Sequence, residues 1–304
     1  MSFLEESGND ELTETFVDHV REMILNRVSD ARLSEAQARH LRSLATGKML
    51  RTKFAARIFA ASGGSCTPAP GLEKACAAIE LVHTASLLHD DIIDNALVRR
   101  SQPTLWKTQG ANYAVLAGDL LYCEALTMLL SGENGYLAPL FVEKVKEVCL
   151  AEIRQELLFR ARTTECETYL DMVRGKTGPL FAFLGYTCGA EDIELARALE
   201  EAGYLTGTAY QLADDLLDAA GDEESTGKTL GTDALRKKAT LAFGIQGLNG
   251  TPDSLIISTI GSAKTVLERW PLLRDGITDF FVKDLGPVLN KTINFQKQQT
   301  PFAA

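Results

Sequence analysis

Apolar residues recur at helical spacing along almost the whole chain, and polar residues fill the outer positions of each turn. In residues 10–28 the apolar positions Phe16, Val17, Val20, Ile24 and Val28 form one stripe and predict an amphipathic helix. Ser34-Glu35-Ala36-Gln37 has the capping-box form that opens a second helix reaching residue 45. Further helices are predicted over 54–61, from 72 through 88 and on into an acidic run at 90–94, and over 113–130, 137–161 and 193–217. Thr164-Glu165-Cys166-Glu167 repeats the capping box and opens a helix that meets Gly175-Lys176-Thr177-Gly178-Pro179. Two glycines and a proline there predict a break or kink. Residues 235–248 and a segment opened by Thr251-Pro252 complete the series; β-branched residues at 255–260 also suit a strand, and helix is preferred. Loops fall at 63–70, 131–135 and 221–232. Strands never alternate with helices and no linker separates two compositions, so the expected fold class is an all-α helical bundle, one domain over 1–304.

Composition agrees with a chain that buries a large core: 304 residues, 45% apolar and 24% charged. A net charge of −10 without a long basic run excludes nucleic acid as the main partner. The six cysteines form no CxxC pair and sit in apolar or helical stretches, as buried thiols of a reducing compartment would. The N-terminus is acidic and polar, unlike a secretory leader. No stretch reads as the roughly 18 apolar residues of a membrane span. A soluble, cytoplasmic protein without an integral membrane segment is expected.

Charge changes the picture at two places. Asp90-Asp91-Ile92-Ile93-Asp94 and Asp214-Asp215-Leu216-Leu217-Asp218 place carboxylates four apart, on one helix face and about 6 Å apart along the axis. Their apolar flanks put them at the edge of the core, where such crowding needs a cation. Oxygen-only ligands favour Mg²⁺ or Ca²⁺, and a few carboxylates that leave positions to water and phosphate suit Mg²⁺ best. The spacing is not that of an EF-hand loop. Facing across a cavity, two such clusters could each hold metal against a diphosphate, with Lys48, Arg51, Arg99, Arg100, Lys176 and Lys228 completing two anion sites. Gly227-Lys228-Thr229 is not a nucleotide P-loop, because Asp222 stands where that pattern needs its first glycine.

With these motifs in order, the chain resembles the trans-isoprenyl diphosphate (polyprenyl) synthases from about residue 47 to 241. The matching segments are GKxxR at 47–51, HTASLLHDDIID ending at Asp94, Arg99-Arg100, Lys176-Thr177, QLADDLLD from Gln211, GKTLGTD from Gly227 and KATL from Lys238. The resemblance implies an isoprenoid-synthase-type bundle around a deep central cavity, a homodimer, and condensation of an allylic diphosphate with isopentenyl diphosphate. It assigns Asp90, Asp94, Asp214, Asp215 and Asp218 to Mg²⁺ ions on the allylic diphosphate. Arg99, Lys176, Thr177, Gln211, Lys228 and Lys238 would face that substrate, and Lys48, Arg51, His83 and Arg100 would hold isopentenyl diphosphate. The catalytic set is Asp90, Asp94, Lys176, Asp214 and Lys228. Thr46, Thr52, Lys237 and Ala242 depart from the family pattern and bear on loop geometry and affinity.

Product length is the open variable. Ala85 and Ser86, five and four residues before Asp90, are small where an aromatic would close the cavity in that family. They imply a medium or long chain, with Tyr122 or residues 145–149 as a deeper floor; the same two residues equally serve close helix packing. A short-chain synthase is the alternative. A class I terpene cyclase is disfavoured by the all-aspartate second motif, and a non-catalytic subunit of a heteromeric synthase by the presence of both motifs.

Overall fold

Helix α1 (Phe3–Asp30) buries the five stripe residues Phe16, Val17, Val20, Ile24 and Val28 against helices α2 (Leu50–Ala61) and α3 (Ala69–Ile93). The computed structural model describes residues 3–30, 41–42, 47–64, 69–131, 133–158, 164–189, 191–220, 245–247 and 250–290. The capping box at 34–37, Cys66, the loop at 221–232, Lys228 and Lys238 lie outside them. Helix α3 opens at Ala69-Pro70, earlier than predicted, because proline is tolerated in a first turn that has no N–H partner to lose. It runs unbroken to Ile93, which carries the first acidic motif to the end of the helix.

A two-residue hairpin of β1 (Val98–Arg99) and β2 (Gln102–Pro103) and a short helix α4 (Leu105–Gln109) lead into α5 (Ala111–Leu130). On α5 the small residues Ala114, Ala117, Gly118 and Ala125, with Leu121 among them, are buried, and the helix packs along α3. By length and composition α5 could cross a membrane, contrary to the sequence reading. It is nevertheless a bundle helix that carries Asp119 and Glu124, and Glu124 pairs with Arg27 of α1 at 2.6 Å.

The single helix predicted over 137–161 is instead a 3₁₀ turn (Glu133–Leu137), helix α6 (Ala138–Ile153) and a π-turn (Arg154–Leu158). Thr164 does not cap the next helix. It lies in β3 (Thr164–Glu165), paired in parallel with β4 (Ile245–Gln246), so the tail of the segment read as helical over 235–248 is a strand. Helix α7 (Cys166–Cys188) also passes through Gly175 and Pro179 without a break. A proline inside a helix costs about 3 kcal/mol, but burial of Leu180, Phe181, Phe183 and Leu184 opposes that cost. Gly175 lies where the proline ring meets the carbonyl of the preceding turn.

Glycines let α7 approach α8 (Ile193–Ala220) backbone to backbone. A Cβ on Gly203 would come 2.6 Å from the Phe181 carbonyl oxygen, and one on Gly207 2.7 Å from Gly178 Cα. Helix α9 (Pro252–Thr265) fulfils the helix preference over a strand, opened by a reciprocal capping box between Thr251 and Ser254. Helix α10 (Pro271–Asp279), a second π-turn (Phe280–Leu285) and α11 (Gly286–Leu289) follow. Phe54, Phe181 and Phe280 meet edge to face in the core, with ring centroids 5.6–6.3 Å apart.

Cys76 and Cys188 are buried as expected, but Cys123 and Cys149 are exposed. They lie on α5 and α6, which also leave Val115, Leu116, Val142, Leu150 and Ile153 uncovered.

Candidate active site

One half of the site is cationic and begins at Gly47. Met49 takes a left-handed conformation (φ 49°) and turns the chain into α2, which buries Arg51 in its first turn and leaves Lys48 exposed on the loop. The Arg51 guanidinium lies 5.4 Å above the Phe181 ring, and its Nε is buried with no hydrogen-bond partner among the described residues. The β1–β2 turn holds Arg100 and Ser101 at φ 51° and 60°, as a type I′ hairpin turn requires, although neither is glycine. That turn lays the Arg100 guanidinium against Gly47, where any Cβ would collide with it.

Glu80 of α3 is the acidic neighbour shared by Arg51 and Arg100; it accepts hydrogen bonds from the Thr52 amide (3.1 Å) and hydroxyl (2.9 Å). Burial pushes its carboxyl up despite these partners. His83, one turn further along α3, is held well below the ordinary histidine range by burial and by Arg51, Arg100 and Arg99, so its imidazole is neutral. Arg51, His83, Arg99 and Arg100 thus lie within electrostatic reach of one another, and Lys48 precedes Arg51 by three residues on the exposed loop. Their cations outnumber the local carboxylates, which makes the pocket receptive to an anion.

The two acidic motifs share a division of labour. In the first, Asp91 is buried and accepts from Arg99 Nε at 2.6 Å, which fastens the hairpin to the end of α3. In the second, Asp215 is buried and engaged on both oxygens, by the Tyr169 hydroxyl at 2.5 Å and by Gln211 Nε2 at 2.8 Å. Gln211 in turn accepts from the Thr177 hydroxyl at 2.6 Å. Asp215, expected from the sequence as a metal ligand, thus also ties α8 to α7 through one oxygen and to Gln211 of its own helix through the other. Asp90, Asp94 and Asp214 remain half-buried, and the Asp218 side chain lies outside the described residues.

Asp90 faces α6 and α7. Burial and Glu152, opposed by Lys176, push its carboxyl up to about 7. Lys176 is held by Glu152 of α6 and donates to Gln155 Oε1, both at 2.9 Å. The sequence reading did not single out Glu152 or Gln155. Their spacing of three puts them on one helical face, but the π-turn that encloses Gln155 leaves no mark in the apolar periodicity.

Among the described residues, no three His, Cys, Asp or Glu side chains converge closely enough to hold a metal ion unaided. The donor set still fits Mg²⁺, which keeps several waters and takes one or two carboxylates together with substrate phosphate. The charge crowding that raises Asp90 is what such a cation relieves. The hollows at Arg57–Asp279 and Arg27–Glu124 are lined by none of these residues, and the larger has room for about one water, about 20 Å³.

Fold and site together define a class of all-α protein that sets two acidic motifs on separate helices, α3 and α8, both packed on α7, beside a cluster of arginines. A family model described as polyprenyl synthetase matches residues 33–268, and the chain belongs to that family. It is 34% identical over 204 residues to the geranylgeranyl diphosphate synthase of Mycobacterium tuberculosis, covering 64% of this chain and 57% of that one. It is also 34% identical over 198 residues to an all-trans-nonaprenyl-diphosphate synthase (geranyl-diphosphate specific) of Rhodobacter capsulatus, covering 64% and 61%. The chain therefore spans about six tenths of these relatives' lengths. A solved polyprenyl synthase from Caulobacter crescentus, complexed with calcium and isoprenyl diphosphate, shares the fold with a TM-score of 0.77 at 24% identity, over 90% of this chain and 96% of that one.

Proposed function

We propose that the chain is a Mg²⁺-dependent prenyltransferase that condenses an allylic diphosphate with isopentenyl diphosphate to elongate a trans-polyprenyl diphosphate. The observation that carries the reading is the pairing of two unlike halves: crowded carboxylates at Asp90 and Asp94 that want a cation, and beside them a pocket around Arg51 and Arg100 that wants an anion. Asp90, Asp94, Asp214, Asp215 and Asp218 would hold Mg²⁺, which supplies charge neutralisation on the leaving diphosphate. Lys176, Thr177, Gln211 and Arg99, with Lys228 and Lys238, bind the allylic diphosphate. Lys48, Arg51, His83 and Arg100 bind isopentenyl diphosphate.

The allylic C–O bond breaks as its diphosphate takes the electron pair, and the side chains that contact this group stabilise its growing charge. The double bond of isopentenyl diphosphate then supplies the electrons of the new C–C bond. The proton lost in restoring a double bond goes to the released diphosphate. Lys176 is already placed beside Asp90, where a phosphate oxygen would compete with Glu152 and Gln155 for it.

A medium or long product is favoured by Ala85, which is fully buried, and Ser86, whose hydroxyl turns back to the His83 carbonyl. Both side chains are small where an aromatic would close off the tail. Tyr122 lies within electrostatic reach of Asp90 and Cys149 and is the side chain we expect the growing tail to meet. The exposed apolar residues of α5 and α6 suit a second copy of the chain, and a soluble homodimer in the cytoplasm is the form we propose.

The test supplies Mg²⁺, labelled isopentenyl diphosphate and allylic primers of several lengths, and reads the products by mass. Failure to elongate any primer would sink the prenyltransferase reading, and a product that stops after one or two additions would sink the medium or long chain. Tyr122→Ala is expected to lengthen the distribution.

A further inference from the structure

Tyr210 belongs to neither motif, yet α8 places it where the two halves of the site adjoin. Consecutive helix residues point about 100° apart. While Gln211 turns to Thr177 and Asp215, Tyr210 is turned away from them. It is half-buried with its ring packed on the core. It follows Gly203 and Gly207 by seven and three positions, so it shares the α8 face that is pressed on α7 beside Phe181, the ring beneath the Arg51 guanidinium. Its phenol is within electrostatic reach of both Arg51 and Arg100.

Guanidinium groups only donate hydrogen bonds, whereas a phenol can accept from them and donate onward. A diphosphate held between Arg51 and Arg100 offers acceptor oxygens to a donor that neighbours both guanidinium groups, as the Tyr210 phenol does. We infer that the Tyr210 hydroxyl donates a hydrogen bond to the diphosphate held by Arg51 and Arg100, which makes Tyr210 a binding residue of the isopentenyl diphosphate site. The inference rests on the assignment of that pocket under the proposed function. It also supplies a mechanical link: Tyr210 touches one substrate and its neighbour Gln211 orders the motif that serves the other.

Tyr210→Phe keeps the ring and deletes the hydroxyl. Calorimetric titration with inorganic diphosphate in the absence of Mg²⁺ is expected to show a dissociation constant about tenfold higher than wild type, the loss of one hydrogen bond to a charged group. In steady state the KM for isopentenyl diphosphate should rise about tenfold, with the KM for the allylic substrate and the unfolding temperature unchanged. A dissociation constant within twofold of wild type overturns the inference, as does an equal rise in both KM values. If wild type elongates no primer but Tyr210→Phe still weakens diphosphate binding tenfold, the prenyltransferase reading falls and the Tyr210 contact stands.

Discussion

Replacing Tyr169 by Phe removes one hydroxyl from a fully buried ring whose oxygen donates to Asp215 at 2.5 Å. Asp215 is 5% exposed, so water cannot stand in for the lost donor, and Gln211 Nε2 already serves the other oxygen. A hydrogen bond to a charged group contributes about 1.5–3 kcal/mol, so a loss of about 2 kcal/mol is expected. For 304 residues the unfolding entropy is on the order of 0.6 kcal/mol/K, so the melting temperature should fall by about 3 °C. Wild type, Tyr169→Phe, Asp215→Asn and the double variant, compared by urea and thermal unfolding, close a cycle with an expected coupling of about 1.5–2 kcal/mol. Turnover should drop at least tenfold in Tyr169→Phe, because Asp214 and Asp218 ride on the helix that this bond registers against α7. An unchanged melting temperature together with unchanged turnover would refute the positioning role of the Tyr169–Asp215 bond.

Three further outcomes follow from the same geometry. Ser101→Gly relieves a left-handed residue (φ 60°) in the hairpin turn and should stabilise the protein by about 0.5–1 kcal/mol, seen as a higher urea midpoint; an unchanged or lower midpoint would mean that the turn holds no strain. Gly207→Ala places a Cβ 2.7–2.8 Å from the Gly178 backbone, which cannot yield as a side chain can, so at least about 2 kcal/mol should be lost; tolerance of alanine would contradict the close α7–α8 approach. His83 is held below its unfolded value near 6.5 by burial and by Arg51, Arg100 and Arg99, so below that pH the unfolded chain binds more protons and stability falls as pH falls. Between pH 6.5 and 5.5 wild type should lose about 1 kcal/mol more than His83→Gln, and added inorganic diphosphate should shrink that difference by offsetting the arginine charge; equal losses in the two proteins would show His83 to be unperturbed.

Spacing within one helix made much of this legible. The stripe Phe16 to Val28 needed only the 3.6-residue period, and so did the shared face of Asp90 and Asp94. The period also separates Asp91 from Asp90 by about 100°, so the second aspartate of each motif had to face something else. What it faces depends on a neighbour: Arg99 on a hairpin for Asp91, Tyr169 on another helix for Asp215. The six aspartates of the two motifs are chemically identical in the sequence, and the fold sets Asp91 and Asp215 apart by their partners. The same reason hid Glu152 and Gln155, whose partner Lys176 comes from α7, and misjudged Pro179 and Cys149, whose surroundings are set by α8 and by an uncovered face of α6. Where a residue's role depends on the offset between two helices, the deciding quantity is the distance of closest approach. Here that distance rests on Gly178, Gly203 and Gly207, residues with no chemistry of their own. A methyl group at any of them would push α8 from α7 and separate Thr177 from Gln211, with every acidic and basic side chain of the site still present.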